Sequence, residues 1–468
     1  MTTLRFHGSA AVLLLPLALF VAVTARLFIS EAAFDLTGLA AAGVLTLFSG
    51  SLLAKSPSEY WRGASSELTG TVVLILIASG IFSAMMKASG VADGLVFLGG
   101  MLHLTGHAFT VFVLLASSLM AAATGSSIGT LLAAMPIFFP AGVALGADPA
   151  MLAGAVLSGA IFGDNLAPVS DVTVISSVTQ RFRNGTPADI AGVVRTRLPY
   201  ALIALAVSLP VYAFMGESLP VSEAALSGDA SALLMLVPVA VLIAIAVRTR
   251  DVLMAISAGA VTGTATGLLI GRLSFATIFA ADDGRLSGFL ISGISNVSPI
   301  ILLCVTLFAF TGIVREAGVP DMMAKALEAG SAGRPSALRT ELFLSAATLV
   351  VTTLFAAVTS ASVALVGSLT DDIGRASNVH PYRRSHILSG LANSLPVLMP
   401  FSAFVLITMA AVSGLEGAAA VTPFTLMTAA FYPIALFLVF GFMVLTGTGR
   451  MMETPEPEAA EAKTATAL

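Results

Sequence analysis

A single cysteine, Cys304, in 468 residues excludes an internal disulfide and any cysteine-based metal centre. Charge is nearly as scarce. Only 10% of residues are Asp, Glu, Lys or Arg, against about 25% in ordinary soluble domains, too few to cover a water-exposed surface. The net charge of −4 offers nucleic acid no basic face. There is no Gly-x-x-x-x-Gly-Lys-Ser/Thr loop to cradle a nucleotide and no His-Glu-x-x-His to hold a catalytic zinc. The chain is therefore read as not an enzyme, with no cofactor.

What it has is long apolar runs. Hydrophobic residues make up 57% and the mean hydropathy is +0.98. A membrane span needs about 20 such residues. Candidate spans are 9–28, 36–54, 70–88, 106–124, 127–145, 150–178, 198–215, 231–247, 252–271, 289–314, 341–358, 360–374, 386–412 and 422–446. Those at 127–145 and 360–374 are short enough to be re-entrant hairpins, so 12–14 spans are expected. The run from Ala10 to Ala25 resembles a secretory signal, but Arg26 follows the cleavage-like Val23-Thr24-Ala25 at once, so a retained first span is expected.

Arginine and lysine placement gives orientation. Arg181, Arg183, Arg195 and Arg197 are read as one loop, Arg248 and Arg250 as a second, Arg315, Lys325, Arg334 and Arg339 as a third, and Arg375, Arg383 and Arg384 as a fourth, with Arg450 beyond the last span. Counting 14 crossings puts all of them on the cytoplasmic side, with both termini. Glu217, Glu223, Asp229, Asp282 and Asp283 then face the other side. His380 and His386 are read as loop residues among the arginines, His103 and His107 as surface histidines, and Tyr60 and Trp61 as interfacial anchors. Asp371 and Asp372, near Arg375, are read as a solvated loop end.

The sequence also repeats. Ala121-Ala122-Ala123-Thr124-Gly125-Ser126-Ser127 resembles Ala356-Ala357-Val358-Thr359-Ser360-Ala361-Ser362. Leu157-Ser158-Gly159 resembles Leu388-Ser389-Gly390, and Asn165-Leu166-Ala167-Pro168-Val169 resembles Asn393-Ser394-Leu395-Pro396-Val397. A fourth match, residues 87–93 with 315–321, keeps the same order. An odd number of crossings per half would invert one half relative to the other, the usual architecture of alternating-access carriers. The predicted organisation is an all-α polytopic membrane protein: a first transmembrane repeat over 1–215, a linker over 216–230, a second, inverted repeat over 231–447, and a disordered cytoplasmic tail over 448–468.

One segment carries the chemistry. Residues 158–173, Ser-Gly-Ala-Ile-Phe-Gly-Asp-Asn-Leu-Ala-Pro-Val-Ser-Asp-Val-Thr, set Asp164 and Asp171 in an apolar stretch. Carboxylates within a span are costly and are retained for transport. Pro168 lacks an N–H and should break the helix just ahead of it, freeing carbonyls near Gly163 to Asn165. Carboxylate, hydroxyl and carbonyl oxygens are the ligands a hard cation prefers, so Asp164 and Asp171 are predicted to bind sodium, with Asn165, Ser170 and Thr173 beside them. Thr124, Ser126 and Ser127 form a second cluster of hydroxyls. In the second half Asn393 and Ser394 offer an amide and a hydroxyl but no buried acid. A carboxylate that trades a proton for a metal cation is the chemistry of a cation/proton antiporter. The bland readings are that Asp164 caps a helix, that Asp171 pairs with an arginine at the membrane edge, and that the small hydroxylic residues only pack helices.

Thr124 to Thr130, Ser158 to Asp164, and Pro168 to Thr173 together resemble the signature of the NhaC-type sodium/proton antiporter family, as do Val194 to Tyr200 and Leu388 to Pro400. The resemblance implies an ion-transporter-superfamily fold with inverted repeats and interrupted helices, a homodimer, and sodium/proton exchange in the bacterial inner membrane. By matching positions it points to Asp164, Asp171, Ser170, Thr173, Thr124 and Ser127. Asn165 stands where a lysine is common in the family, and Ile128 where a bulky aromatic is. The partners expected are the lipid bilayer and a small cation. The alternative is sodium- or proton-coupled transport of a small organic solute, an amino acid or carboxylate.

Overall fold

The computed structural model describes residues 4–7, 36–65, 67–104, 106–217, 219–221, 230–282, 285–317 and 336–453. The expected span at 9–28, most of the 216–230 linker and the tail beyond 453 lie outside these residues. The fold is helical, as lipid demands, because a spanning segment must satisfy its own backbone hydrogen bonds. In chain order the helices are α1 Leu36–Leu53, α2 Pro57–Ala64, α3 Glu67–Ser89, α4 Val91–Met101, α5 His107–Thr124, α6 Ser127–Ala144, α7 Pro149–Leu166, α8 Asp171–Val178 and α9 Ile190–Phe214. They continue with α10 Leu236–Thr249, α11 Val252–Leu269, α12 Phe275–Ile278, α13 Phe289–Glu316, α14 Ala337–Leu354, α15 Thr359–Ala376, α16 Pro381–Ala392, α17 Ala403–Val412, α18 Pro423–Ala429 and α19 Phe431–Thr446. A small hairpin, β1 Ala280–Asp282 with β2 Arg285–Ser287, precedes α13.

Among the described residues seven helices are long and apolar enough to cross a membrane, or ten when each of three bent pairs counts as one span. The breaks have local causes. Between α3 and α4 Gly90 takes φ +70° and the pair bends by 65°. Between α16 and α17, which bend by 54°, stand Pro396 and Pro400.

Two groups of helices pack together. One holds α1, α3, α10, α11 and α13; the other holds α5 to α9 and α14 to α19. The second contains the most buried segments: 89% of an 18-residue stretch within Pro149–Val178 and 78% of Ser127–Ala144 are buried, against 22% of an 18-residue stretch within Ile190–Phe214. The face α9 leaves exposed is apolar, with Leu202, Ile203 and Val207 about half accessible, as a lipid-facing surface should be. At the centre α5 crosses α7 almost backbone to backbone. A Cβ on Gly163 would stand 2.1 Å from the Ser118 carbonyl, so only glycine fits.

Of the two short pieces, 127–145 forms α6, which runs antiparallel to α5, and each of the two helices is long and apolar enough to cross a membrane. α5 and α6 are joined by Gly125 and Ser126 alone, and at their far ends the Gly106 N–H donates to the Leu145 carbonyl at 2.9 Å. Residues 181–183, 371–380 and 450–453 gather at one end of the helices: Arg181 N donates to Asp371 Oδ1, Arg183 N to Glu453 Oε1, and His380 N to the Met451 carbonyl. At the other end Glu217 N donates to Asp148 Oδ2.

Four loop assignments are corrected. Arg197 lies within α9, Arg383, Arg384 and His386 within α16, and all four are buried. Asp371 sits on α15 at 8% exposure, ion-paired with Arg384 at 2.8 Å and Arg375 at 3.2 Å, while its neighbour Asp372 is exposed. Tyr60 is also buried, its hydroxyl donating to the Leu47 carbonyl at 2.7 Å, and only Trp61 reaches the surface. Charge and polarity do not place such residues at the rim when partners await them inside: Arg383 finds Glu341, which also takes Arg450.

Candidate functional site

Asp164 stands in the last turn of α7, near the middle of the 30-residue window Pro149–Val178. It is 4% exposed. α7 stops at Leu166 because Pro168 cannot extend it and Ala167, the residue before a proline, is driven to extended backbone (φ −65°, ψ 123°). The chain restarts as a helix at Asp171. The gap falls slightly later than expected. The Gly163 and Asp164 carbonyls are not free, since both accept from the Ala167 N–H, at 2.9 and 3.2 Å.

The tip of the α5–α6 hairpin meets this break. Gly125 turns the chain with φ +68°, and a Cβ there would lie 2.7 Å from Val169 Cγ2. The turn delivers Ser127, whose hydroxyl donates to Asp164 Oδ2 at 3.2 Å. The Ser170 hydroxyl sits against the same carboxylate without hydrogen-bonding geometry. Ser126 caps α6, accepting from the Gly129 N–H at 3.1 Å.

The second half brings a matching turn and break to the same place. Residues 355–358 turn between α14 and α15, and the Ala356 carbonyl accepts from the N–H of Ala403, where the helix restarts after its own break, at 2.8 Å. Together these pieces enclose a cavity of about 210 Å³. Its first-half wall is Gly125, Ser126, Ser127, Asp164, Ser170 and Asp171; its second-half wall is Ala357, Val358, Thr359, Ser360, Ala403 and Phe404; Ile75 of α3 closes a side. At roughly 30 Å³ per water, that space holds a small cation with several waters. The oxygens available are carboxylate and hydroxyl, the hard donors suited to an alkali cation. Among the described residues no group of three His, Cys, Asp or Glu side chains converges as a metal site.

The candidate residues therefore divide. Asp164, Asp171, Ser126, Ser127 and Ser170 line the cavity, Asp171 in the first turn of α8 and exposed. Thr124, Asn165, Thr173, Asn393 and Ser394 are not among its walls. Thr124 and Ser394 donate to the carbonyls of Met120 and Leu391. Asn165 donates to the Tyr432 hydroxyl at 3.2 Å, and Thr173 accepts from Arg197. The buried Asn393 amide has no hydrogen-bond partner among the described residues. Sequence reasoning passed over Thr359, Ser360 and Arg197. The repeat match of Ala121–Ser127 with Ala356–Ser362 was the available signal for the first two, since both stretches arrive at one cavity. Gly125 to Gly129 also has the Gly-x-Ser-x-Gly spacing of a serine-hydrolase nucleophile turn. Ser127 donates to a carboxylate, however, and no histidine lines the cavity, so that likeness is one of spacing only.

A larger cavity of about 570 Å³ lies further along the same helices, walled by Leu76, Ser79 and Lys87 of α3, Leu132 of α6, Asn296 of α13 and Ala410 of α17.

Residues 2–217 match the model of the Na+/H+ antiporter family. A Malate-2H(+)/Na(+)-lactate antiporter of Bacillus subtilis is 33% identical over 144 residues, 31% of this chain and 29% of that protein. The Na(+)/H(+) antiporter NhaC of Alkalihalophilus pseudofirmus is 40% identical over 104 residues, 22% of each chain. An uncharacterized Na(+)/H(+) antiporter of Haemophilus influenzae is 23% identical over 322 residues, 61% of this chain and 67% of that protein. The chain thus spans less than a third of the first two relatives it matches. With the helical fold, these matches bear out the resemblance read from the motifs over residues 2–217, the stretch that is similar to the Na+/H+ antiporter family.

Proposed function

We propose that the protein is a secondary active transporter exchanging sodium for protons by alternating access, with Asp164 holding one or the other. The observation that carries this is a single buried carboxylate, hydrogen-bonded by Ser127, at a helix break inside a cavity walled by both halves. An ionised carboxylate so placed needs a positive partner. A proton and a sodium ion both meet that need, and they exclude each other. The broken helices expose the site without requiring lipid to cover unsatisfied backbone. Asp171, at the open side of the cavity, is proposed as the second ligand or as the acid that sodium meets on entry. Both termini are placed on the cytoplasmic side of a bacterial inner membrane, and a homodimer is the assembly proposed.

The test is exchange in proteoliposomes. Asp164→Asn should abolish sodium-driven pH change while the protein still purifies as a folded species. Exchange retained in that variant contradicts the assignment.

A second reading has one observation in its favour. The 570 Å³ cavity, with Lys87, Asn296 and several hydroxyls among apolar walls, is of the size that holds small organic ligands, and one relative is named for malate and lactate. Sodium flux stimulated by an organic anion, and lost in Lys87→Met, would favour it; a pure antiporter shows no stimulation.

A further inference from the structure

Three arginines are wholly buried among the described residues: Arg197, Arg383 and Arg384. Two of them have a carboxylate at ion-pair distance, Arg383 on Glu341 at 2.9 Å and Arg384 on Asp371 at 2.8 Å. Arg197 has none. Its Nη1 donates to Ser389 Oγ at 2.5 Å, its Nη2 donates to Thr173 Oγ1 at 2.7 Å, and its Nε has no hydrogen-bond partner. A guanidinium out of water without an anion is costly to maintain, and two hydroxyls do not neutralise it.

Arg197 interacts electrostatically with Asp164, and its hydrogen bond to Thr173 ties it to the residue next to Val172, which lines the Asp164 cavity. Tyr432 of α19 and His386 of α16 also face Arg197, Arg383 faces His386, and Asp171 faces Asp164. Contact between Arg197 and Asp164 is not made. One clamp, Thr173, stands on α8, beyond the break; the other, Ser389, stands on α16 in the second half. The clamps hold the guanidinium close enough to act on the cavity and too far to occupy it.

We propose that Arg197 is a tethered countercharge that limits how tightly the Asp164 cavity holds a cation, so that the cation can leave. The proposal rests on the cation-exchange reading and adds a positioning residue to it. Binding that is too favourable stops transport, because release becomes slow. A fixed positive charge beyond contact distance weakens a bound monovalent cation by Coulomb repulsion, on the order of ten-fold for two unit charges about 12 Å apart at an effective dielectric of about 20.

Sodium-dependent exchange measured at alkaline pH in Arg197→Gln and Arg197→Lys vesicles tests it. Arg197→Gln should lower the KM for sodium on the order of ten-fold and lower the maximal rate with it, whereas Arg197→Lys should keep a KM near that of the unaltered protein. A fall in maximal rate with KM unchanged or raised would mean that Arg197 only braces the fold, and would overturn the proposal. Should Arg197→Gln fail to fold, Thr173→Val and Ser389→Ala free the guanidinium to approach Asp164, and each should raise the KM; an unchanged KM in both overturns the proposal equally. Absence of Asp164-dependent exchange in the unaltered protein would instead overturn the function reading itself, so the two failures are separable.

Discussion

Asp164 and Ser127 form the smallest unit that can do the chemistry. The Ser127 hydroxyl stabilises the ionised carboxylate and is itself an oxygen that a cation can use. A hydrogen bond to a charged group contributes about 1.5–3 kcal/mol. Ser127→Ala is therefore expected to raise the KM for sodium roughly ten-fold or more, read from exchange in vesicles, while the folded yield is kept. Asp171 is exposed in the first turn of α8, where a carboxylate also suits the helix N-terminus. Asp171→Asn should leave exchange present with a shifted KM, in contrast to the loss expected of Asp164→Asn; loss in both would make the pair a single unit. Asp164 was legible in the sequence because an acid inside an apolar run has few structural uses. Arg197, Arg383 and Arg384 were misplaced for a related reason. The rule that arginines mark cytoplasmic loops treats each one alike, and their buried partners, Thr173, Ser389, Glu341 and Asp371, stand 13 to 192 residues away on other helices.

The two turns are the elements that aim the site, and they achieve it differently. The first uses Gly125, which takes φ +68° freely and leaves room for Val169 and Ser170. In Gly125→Ala a Cβ would press on Val169 Cγ2 at 2.7 Å and the Ser170 N at 3.0 Å. A cost of about 1–3 kcal/mol is expected, visible as a lower Tm, with weaker sodium exchange because the crowded groups border Asp164. The second turn places alanines, Ala356 and Ala357, at φ 50° and 61°. A left-handed L-residue costs about 1–2 kcal/mol, so Ala357→Gly is expected to raise stability by about 1 kcal/mol; a lower Tm would show that the strain is not there to relieve. Helix existence and most boundaries were readable from apolar run length, and the break near Pro168 from its missing N–H. The repeat register was less so. The sequence match sets Thr124 opposite Thr359, whereas the helices after the two turns begin at Ser127 and Thr359, a shift of three residues. A short match fixes a segment, but the turn length decides which residue faces the cavity.

Across the molecule, α9 ties the halves together. Tyr212 pairs its hydroxyl with Ser158, and Arg197 donates to Ser389, so one helix meets both members of a repeat-matched serine pair. The two α9 residues that make these contacts are 15 residues apart, about 22 Å along a helix. We propose that the halves are inverted, an arrangement that would set such equivalent serines at different depths. At this scale the central claim is that proton and sodium compete for one carboxylate, and the most direct measurement is proton release when sodium is added to the purified, weakly buffered protein. A cation that displaces a ligand-bound proton releases it to solution. The account expects release that saturates with sodium and disappears in Asp164→Asn. Sodium binding without release, or release undiminished in that variant, would contradict it.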